Sequence, residues 1–408
     1  MKIRIRGWCD NARPFIRILP TWEKSMEIVQ LKKENYDELI DLLNFAFTKN
    51  GKIPDFEKNL PKMCIRDDEH MGQHYGIYED GVLAAVIGVY LLPAYIGGES
   101  VIFSTVGNVA TRPGYEGRGY MSALFSFSME KLSVLGADAS RLGGLRHRYN
   151  RYGYEAAGAR YKFSLTSHNV KSYFADIISG VEFKMIERTD KDTLLSAKKM
   201  QESTGFFVKR GEGDNTDDVY FSMVAWQNVP YAAMRDGKMI GYVSVSPDGA
   251  DIAEIYAEST DALAATIAAW QARVGKTVKF IIQPHQLNEV RLFSSVCESV
   301  DIASPNHFKI ISWEKIVGAL MRLKASYTAL PSGELTLNIE GFGGLRLFVS
   351  DGEIGCEKYH GECELSLSSA AASRYLFGPL PPEAVAGVSP AAASWLPLPL
   401  SWNMQDRV

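Results

Sequence analysis

The sequence predicts an α+β protein with more than one domain. Runs of residues alternate between apolar and polar side chains with the period of two that strands have, and Gly-containing turns bound these runs. Between them lie segments in which apolar residues recur with the helical period of 3.6. The 408 residues with 46% hydrophobic content exceed one ordinary core. The chain is therefore predicted to fold around two or three cores.

Residues 1–25 differ in composition from the residues that follow. They carry more basic than acidic side chains, and they lack the apolar stretch of a secretion signal. The basic residues are Lys2, Arg4, Arg6, Arg13, Arg17 and Lys24. A strand-like segment, EIVQLK, begins directly after Met26. We therefore predict an N-terminal extension that is either disordered or the product of a wrongly assigned start codon.

A helix and a hairpin are predicted next. The segment KKENYDELIDLLNFAF places Leu39, Ile40, Leu43 and Phe47 on one helical face. The segment HYGIYEDGVLAAVIGVYLLPAY follows, with the Asp80-Gly81 pair in its middle. Asp-Gly between alternating apolar residues is typical of a tight β-hairpin turn.

Residues 104–124, STVGNVATRPGYEGRGYMSAL, predict a strand, a turn and the start of a helix. Thr105 to Ala110 alternate as a half-buried strand does, and Gly117 and Gly119 lie where the helix begins. A helix N-terminus exposes unpaired N–H groups and the positive end of the helix dipole, and glycines let an anion approach closely. The segment therefore indicates a phosphate site, although many nucleotide sites share this arrangement.

A tyrosine-rich segment, GLRHRYNRYGYEAAG, covers residues 144–158. Tyr149, Tyr152 and Tyr154 either pack a helix end against a strand or, in the case of Tyr149, supply a proton donor. Taken alone, packing is the more common explanation for a tyrosine. His147, beside Tyr149, is the second titratable candidate.

The middle of the chain repeats the hairpin, strand and helix order. A hairpin about Asp236-Gly237 is predicted for YAAMRDGKMIGYVSVS. A strand is predicted for ADIAEIYAEST and an amphipathic helix for DALAATIAAWQARV. No glycine-rich loop joins that strand to that helix. The last hundred residues predict glycine-turned strands, one helix and an apolar, Pro-containing tail that carries Trp402, Met404 and Val408. Such a tail is predicted to be ordered.

Composition excludes several classes of function. A net charge of −4 argues against general nucleic-acid binding, and no window reaches the roughly 18 uninterrupted apolar residues of a membrane helix. Five scattered cysteines predict reduced thiols and a cytoplasmic protein. The cysteines and histidines do not follow a metal-ligand spacing, so no metal is expected.

Residues 104–124 resemble motif A of the GNAT acyltransferases, in which a strand binds the pantetheine arm of acyl-CoA and an RxxGxG/A loop binds its pyrophosphate. The resemblance implies an acetyl-CoA loop, with Glu in place of the first Arg and Met in place of the last Gly. It also implies that backbone N–H groups of the strand face the thioester where the strand parts from its neighbour, with Gly107 and Arg112-Pro113 favouring the break. We expect Arg118 to compensate the charge of Glu116. The implied loop residues are Glu116, Gly117, Arg118, Gly119, Tyr120 and Met121, and the strand residues are Val109, Ala110 and Thr111.

Residues 144–158 resemble the catalytic segment of the enhanced intracellular survival (Eis) branch of GNAT enzymes. This resemblance implies that Tyr149 is the general acid and that the C-terminal carboxylate, on Val408, acts in the first domain, either as a base or as an anchor for the ammonium group while water carries the proton. The alternative is a tail that packs on its own domain. The resemblance implies a catalytic domain at 26–170, a degenerate GNAT-like domain at 171–302, and a sterol carrier protein-like domain at 303–408. It also implies a homo-oligomer, with a hexamer expected.

The expected function is that of an acetyl-CoA-dependent N-acetyltransferase, in which an amine attacks the thioester directly in a ternary complex. The acceptor is expected to be a small-molecule amine or a peptide lysine, with no nucleic-acid or membrane partner. The alternative is a protein that binds a lipid or other apolar ligand in its C-terminal domain and carries a vestigial acyltransferase domain.

Overall fold

The computed structural model describes residues 4–6, 26–48 and 52–407. These residues divide into two compact units. Unit 1 holds the described residues up to Leu91 together with Ser104–Ala137, and unit 2 holds Leu92–Phe103 and Asp138–Arg407. Most of the predicted extension at 1–25, and Val408, lie outside the described residues.

The strands of the described chain, in sequence order, are β1 (Arg4–Arg6), β2 (Glu27–Gln30), β3 (His74–Glu79), β4 (Val82–Ile96), β5 (Glu99–Thr111), β6 (Ala139–Leu142), β7 (Glu155–Ala157), β8 (Arg160–Leu165), β9 (Glu182–Met185), β10 (Phe206–Val208), β11 (Val229–Arg235), β12 (Lys238–Val245), β13 (Asp251–Ala257), β14 (Val278–Ile282), β15 (Ser299–Ala303), β16 (Asn306–Ile310), β17 (Gly333–Ile339), β18 (Gly343–Ser350), β19 (Glu353–Tyr359) and β20 (Leu365–Leu367).

The α-helices of the described chain are α1 (Tyr36–Ala46), α2 (Phe56–Asn59), α3 (Asp68–Met71), α4 (Tyr120–Val134), α5 (Arg146–Tyr149), α6 (Ser167–Tyr173), α7 (Lys191–Glu202), α8 (Asp217–Val224), α9 (Thr260–Val274), α10 (Leu287–Val296), α11 (Trp313–Ala325), α12 (Ser369–Phe377) and α13 (Pro390–Trp395). A short 3-10 turn at Met404–Asp406 lies in the C-terminal tail.

Unit 1 is built on antiparallel pairing of β2 with β3 and of β3 with β4, and β1 adds to β2 in parallel. The predicted hairpin turn is confirmed: Asp80 and Gly81 have φ angles of 52° and 78°, which the tight turn requires at both positions. Helix α1 buries the predicted apolar face. Phe47, expected on that face, is 37% exposed because the helix ends at Ala46.

Unit 2 contains a seven-stranded sheet in the order β15-β8-β14-β13-β12-β11-β9 and a four-stranded sheet in the order β19-β18-β17-β20. The second predicted hairpin is confirmed, with φ angles of 51° at Asp236 and 75° at Gly237. Two strands pair away from their neighbours in sequence. Strand β8 joins the seven-stranded sheet, and β16 pairs with β6 and β7. These pairings join strands on opposite sides of the predicted domain boundaries, and the three boundaries stay a prediction.

A buried polar cluster lies in the core of unit 1. His74 is fully buried, its Nδ1 lies 3.2 Å from the carbonyl oxygen of His70, and its Nε2 lies 2.9 Å from the hydroxyl of Tyr90. Because a carbonyl oxygen only accepts, Nδ1 carries the proton and Nε2 accepts. Burial lowers the pKa of His74 to about 4, so the ring is neutral at pH 7.

This cluster predicts an acid-sensitive unit 1. The pKa of a histidine is near 6.5 in the unfolded chain, whereas the pKa of His74 in the fold is about 4. Between these pH values the unfolded chain binds a proton that the folded chain does not bind, so the free energy of unfolding decreases as the pH falls. Lowering the pH from 7 to 5 should cost about 2 kcal/mol of stability through His74 alone. Urea unfolding at both pH values should show a correspondingly smaller loss in His74→Asn, which cannot titrate.

The control for this experiment is His168→Asn, which changes an exposed histidine of unit 2. It should show the same pH dependence as the wild type. If the free energy of unfolding decreased equally between pH 7 and pH 5 in the wild type and in His74→Asn, the assignment of a neutral, buried His74 would be wrong.

Candidate active site

The junction between β5 and α4 carries the predicted phosphate loop. Helix α4 begins at Tyr120, its N-cap residue is Gly119, and no side chain caps it. Gly117 and Gly119 have φ angles of 76° and 82°, in the left-handed region that favours glycine. Among the described residues, a methyl group on Gly119 would meet only the Met26 side chain, at 3.9 Å, and one on Gly117 would meet nothing within 4 Å. No described side chain therefore covers the helix N-terminus.

Charged side chains beside this loop pair differently from the prediction. Arg118 Nη1 lies 2.5 Å from Oε2 of Glu79, and Tyr120 donates its hydroxyl hydrogen bond to the same carboxylate. Glu116 accepts from the backbone N–H of Gly114 at 2.6 Å. The expected compensation of Glu116 by Arg118 is thus replaced by an Arg118–Glu79 ion pair, because Glu79 at the end of β3 lies within reach of the loop.

The backbone of β5 is irregular at Asn108, whose φ angle is 50°, directly after Gly107. That the strand parts from its neighbour near Gly107 and Arg112-Pro113 stays a prediction. Asn108 Nδ2 donates to the hydroxyl of Tyr90 at 2.7 Å and lies 3.1 Å from Nε2 of His74. Asparagine tolerates the left-handed region better than most non-glycine residues, and here its side-chain contacts hold it there.

Three predicted thioester-binding residues follow Asn108 directly. Val109, Ala110 and Thr111 are the last residues of β5, and the backbone N–H of Arg112 then donates to the carbonyl of Ala84 at 2.8 Å. Sequence reasoning missed the supporting cluster of His74, Tyr90 and Asn108. The only local signal for it was an asparagine in the middle of a strand.

Tyr149 lies at the end of α5 in unit 2, and 8% of its surface is exposed. A methyl group on Gly144 would lie 2.9 Å from Cε2 of Tyr149, so the glycine makes room for the ring. Burial raises the pKa of Tyr149, and Arg148 opposes this in part. The phenol is therefore protonated at neutral pH, as a proton donor must be.

The neighbours of Tyr149 have structural roles. Tyr154 is fully buried, and its hydroxyl lies 2.7 Å from Oγ of Ser140. Arg146 donates from Nε and Nη2 to the two carboxylate oxygens of Glu155, each at 2.6 Å, which ties α5 to β7. His147 is exposed. The packing explanation therefore fits Tyr154. The sequence favoured packing for every tyrosine of residues 144–158 except Tyr149.

The corresponding junction in unit 2, between β13 and α9, is closed by its own side chain. Ser259 is the N-cap of α9, and its Oγ accepts from the backbone N–H of Ala262 at 3.1 Å. The residues between strand and helix, Glu258 and Ser259, include no glycine. This helix N-terminus thus has a side-chain cap, in contrast to that of α4 among the described residues.

Within residues 26–48 and 52–407, no group of three or more His, Cys, Asp or Glu side chains is arranged to hold a metal ion. Among the described helices, none combines the length and apolar composition needed to span a bilayer. The four described cysteines, Cys64, Cys297, Cys356 and Cys363, are free thiols, in keeping with the prediction of reduced cysteines. Val408 lies outside the described residues.

One family profile matches part of the chain, and several solved structures share its fold. Residues 27–157 match the family profile "Acetyltransferase (GNAT) domain". A GCN5-related N-acetyltransferase from Kribbella flavida has 18% identity and a TM-score of 0.62, with 94% of this chain and 98% of that chain covered. Eis1 from Mycobacterium abscessus has 14% identity and a TM-score of 0.63, with 92% and 97% covered.

A third solved structure, a conserved protein from Enterococcus faecalis V583 described as a probable N-acyltransferase, has 16% identity and a TM-score of 0.63, with 93% of this chain and 98% of that chain covered. A comparison with curated protein sequences gives no match. At these identities the structural similarity shows the fold, and the family profile identifies the domain. Residues 27–157 match an acetyltransferase (GNAT) domain, and this match supports an acyltransferase.

Proposed function

We propose that this acyltransferase is an acetyl-CoA-dependent N-acetyltransferase that acetylates a primary amine in a ternary complex. The observation that supports this most strongly is the open N-terminus of α4 behind Gly117 and Gly119. Backbone N–H groups and the helix dipole there suit a pyrophosphate. The loop residues from Glu116 to Met121 bind the pyrophosphate in this proposal, and Val109, Ala110 and Thr111 face the thioester.

The charges of the loop are compatible with an anionic ligand. The Arg118 and Glu79 side chains are 46% and 21% exposed, and solvent weakens an ion pair at such a site. Arg118 can therefore turn from Glu79 to the pyrophosphate at little cost. The backbone N–H groups of the loop act regardless of the Glu116 side chain.

The proposed reaction forms a C–N bond and breaks the C–S bond of the thioester. The amine attacks the acetyl carbonyl, and backbone N–H groups of the residues after Asn108 stabilise the developing oxyanion. The departing CoA thiolate, whose thiol has a pKa of about 8.5, takes the phenolic proton of Tyr149. The carboxylate of Val408 takes the proton that the amine loses, and solvent then restores both groups.

The acceptor class follows from this chemistry. A small-molecule amine or a peptide lysine can deliver an uncharged amine nitrogen once its proton is removed. We further propose that the protein is a cytoplasmic homo-oligomer, a hexamer by resemblance, and that the four-stranded sheet with α11, α12 and α13 is the sterol carrier protein-like domain. Titration with acetyl-CoA discriminates this proposal from an apolar-ligand carrier with a vestigial acyltransferase domain.

Gly119→Asp tests the cofactor site. A carboxylate at the N-cap position places a like charge beside the pyrophosphate and competes for the helix N–H groups, so we expect acetyl-CoA binding to fall at least about 100-fold. Calorimetric titration measures this. Gly119→Asn is the matched control, since it has nearly the same size without the charge and should lose less affinity. Unchanged affinity in folded Gly119→Asp would refute the site.

Tyr149→Phe tests the general acid. The variant keeps the ring against Gly144 and loses the donor, so turnover should fall by about 100-fold or more while acetyl-CoA affinity stays the same. Turnover is measured as thiol release with the best acceptor from a panel of polyamines, aminoglycosides and lysine peptides. Tyr154→Phe, which removes a buried hydroxyl of the core, should leave turnover near normal. Near-normal turnover of Tyr149→Phe with chemistry rate-limiting would make His147 the next candidate.

A C-terminal extension tests the carboxylate of Val408. Adding a few residues after Val408, or amidating it, removes the carboxylate from its position, so turnover should fall while acetyl-CoA affinity is retained. Extension is a better test than deletion, because deletion also removes the packing of Trp402. An extended protein that is folded, correctly assembled and fully active would show that the base lies elsewhere.

A further inference from the structure

The segment that carries Tyr149 is a short helical turn between β6 and β7. Helix α5 continues directly into a 3-10 turn, Asn150–Tyr152, and Gly153, with a φ angle of 87°, ends that turn. Carbonyl oxygens at the end of a helical turn have no partner within the turn itself. The end of this segment therefore depends on a hydrogen-bond donor from another part of the chain.

Lys309 of β16 supplies this donor. Its Nζ donates to the carbonyl oxygen of Tyr152 at 2.9 Å, across 157 positions of sequence. Strand β16 pairs with both β6 and β7, so the lysine extends from the strand that joins the two ends of the segment. A methyl group on Gly153 would lie 2.7 Å from the same Nζ. This glycine thus makes room for the ammonium group, as Gly144 does for the ring of Tyr149.

Lys309 occupies its place at an electrostatic cost. The residue is half-buried, and burial lowers the pKa of its amine. Its hydrogen-bond partner is an uncharged carbonyl group, which stabilises an ammonium group less than a carboxylate does. An apolar side chain would fill the same space without giving up hydration. A lysine at this place therefore indicates that the carbonyl group of Tyr152 has to be held in one position.

The held carbonyl group is linked to Tyr149 by a single turn of the backbone. Tyr149 ends α5 and is also the residue from which the 3-10 turn starts, so a displacement of Tyr152 is passed on through that turn. At the other end of the segment, Arg146 donates two hydrogen bonds of 2.6 Å to the buried carboxylate of Glu155. Tyr149 thus lies between two anchors, and all of these residues belong to unit 2.

We propose that Lys309 is a positioning residue that fixes this turn and thereby the direction of the Tyr149 hydroxyl group. The proposal rests on the proposed role of Tyr149 as general acid. A proton donor must lie within hydrogen-bond reach of the group that it protonates, so a small displacement of the ring lowers turnover. Lys309 itself touches neither substrate nor cofactor in this proposal.

Lys309→Met tests the anchor. The variant keeps an unbranched side chain of nearly the same length and loses the charge and the donor. Hydrogen–deuterium exchange measures the effect without any cofactor. We expect peptides that cover residues 146–154 to exchange at least about fivefold faster than in the wild type. Lys279→Met is the matched control, because Lys279 is an exposed strand residue of the same unit, and these peptides should then exchange as in the wild type.

Turnover tests the positioning role. With thiol release as the assay, kcat of Lys309→Met should fall at least about tenfold, while the Kd of acetyl-CoA stays within about twofold. In a Tyr149→Phe background the same substitution should lower kcat by less than about twofold, because the donor that Lys309 positions is already missing. A lysine that only stabilises the fold would lower kcat equally in both backgrounds.

Unchanged exchange of residues 146–154 in Lys309→Met overturns the anchor. Faster exchange with unchanged kcat, or an equal loss of kcat in both backgrounds, overturns the positioning role. If Lys309→Met does not fold, Lys309→Gln carries both tests, since its side chain is polar, uncharged and one atom shorter. Near-normal turnover of Tyr149→Phe alone would instead defeat the proposed role of Tyr149 and the positioning role with it, and the exchange experiment would then decide on the anchor.

Discussion

The N-terminus of α4 is the feature on which the site in unit 1 depends. Backbone N–H groups at the start of a helix must find a partner, and among the described residues no side chain caps them. The left-handed conformations of Gly117 and Gly119 bring the chain into the helix without placing a side chain over its start. Helix N–H groups without a side-chain cap can bind an anion from outside. The irregular backbone at Asn108 lies a few residues earlier, on β5.

The two strand–helix junctions differ in how the start of the helix is capped. At β5 and α4 no described side chain caps the helix, whereas at β13 and α9 Ser259 does. Strands β13 and β14 pair at only two positions, and Asn403 and Met404 of the tail line a small cavity beside them. In our proposal, only the first junction binds the acyl donor.

Local backbone chemistry explains which features the sequence could predict. The Asp80-Gly81 and Asp236-Gly237 turns were predictable because two adjacent residues at positive φ leave few alternatives. The glycine loop was predictable because glycine readily adopts positive φ angles. The GNAT resemblance then implied which ligand the loop binds. Tyr149 could be distinguished from Tyr154 only through the Eis resemblance, since both are buried.

Features that depend on distant partners could not be predicted. The conformation of Asn108 depends on Tyr90 and His74, and Arg118 pairs with Glu79 from another strand. The contact between Arg210 and Asp406 joins residues 196 positions apart, which no local pattern signals. Strands β8 and β16 likewise pair away from their neighbours in sequence, and the residues of such short strands do not specify their partners.

Hydrogen–deuterium exchange with and without acetyl-CoA tests the central claim most directly, because it reports on the backbone N–H groups themselves. Peptides that cover residues 115–123, at the start of α4, should exchange more slowly when acetyl-CoA is bound. Peptides that cover residues 258–264, at the start of α9, should exchange at the same rate in both states. Protection at α9 without protection at α4, or no protection at either helix under saturating acetyl-CoA, would contradict the account.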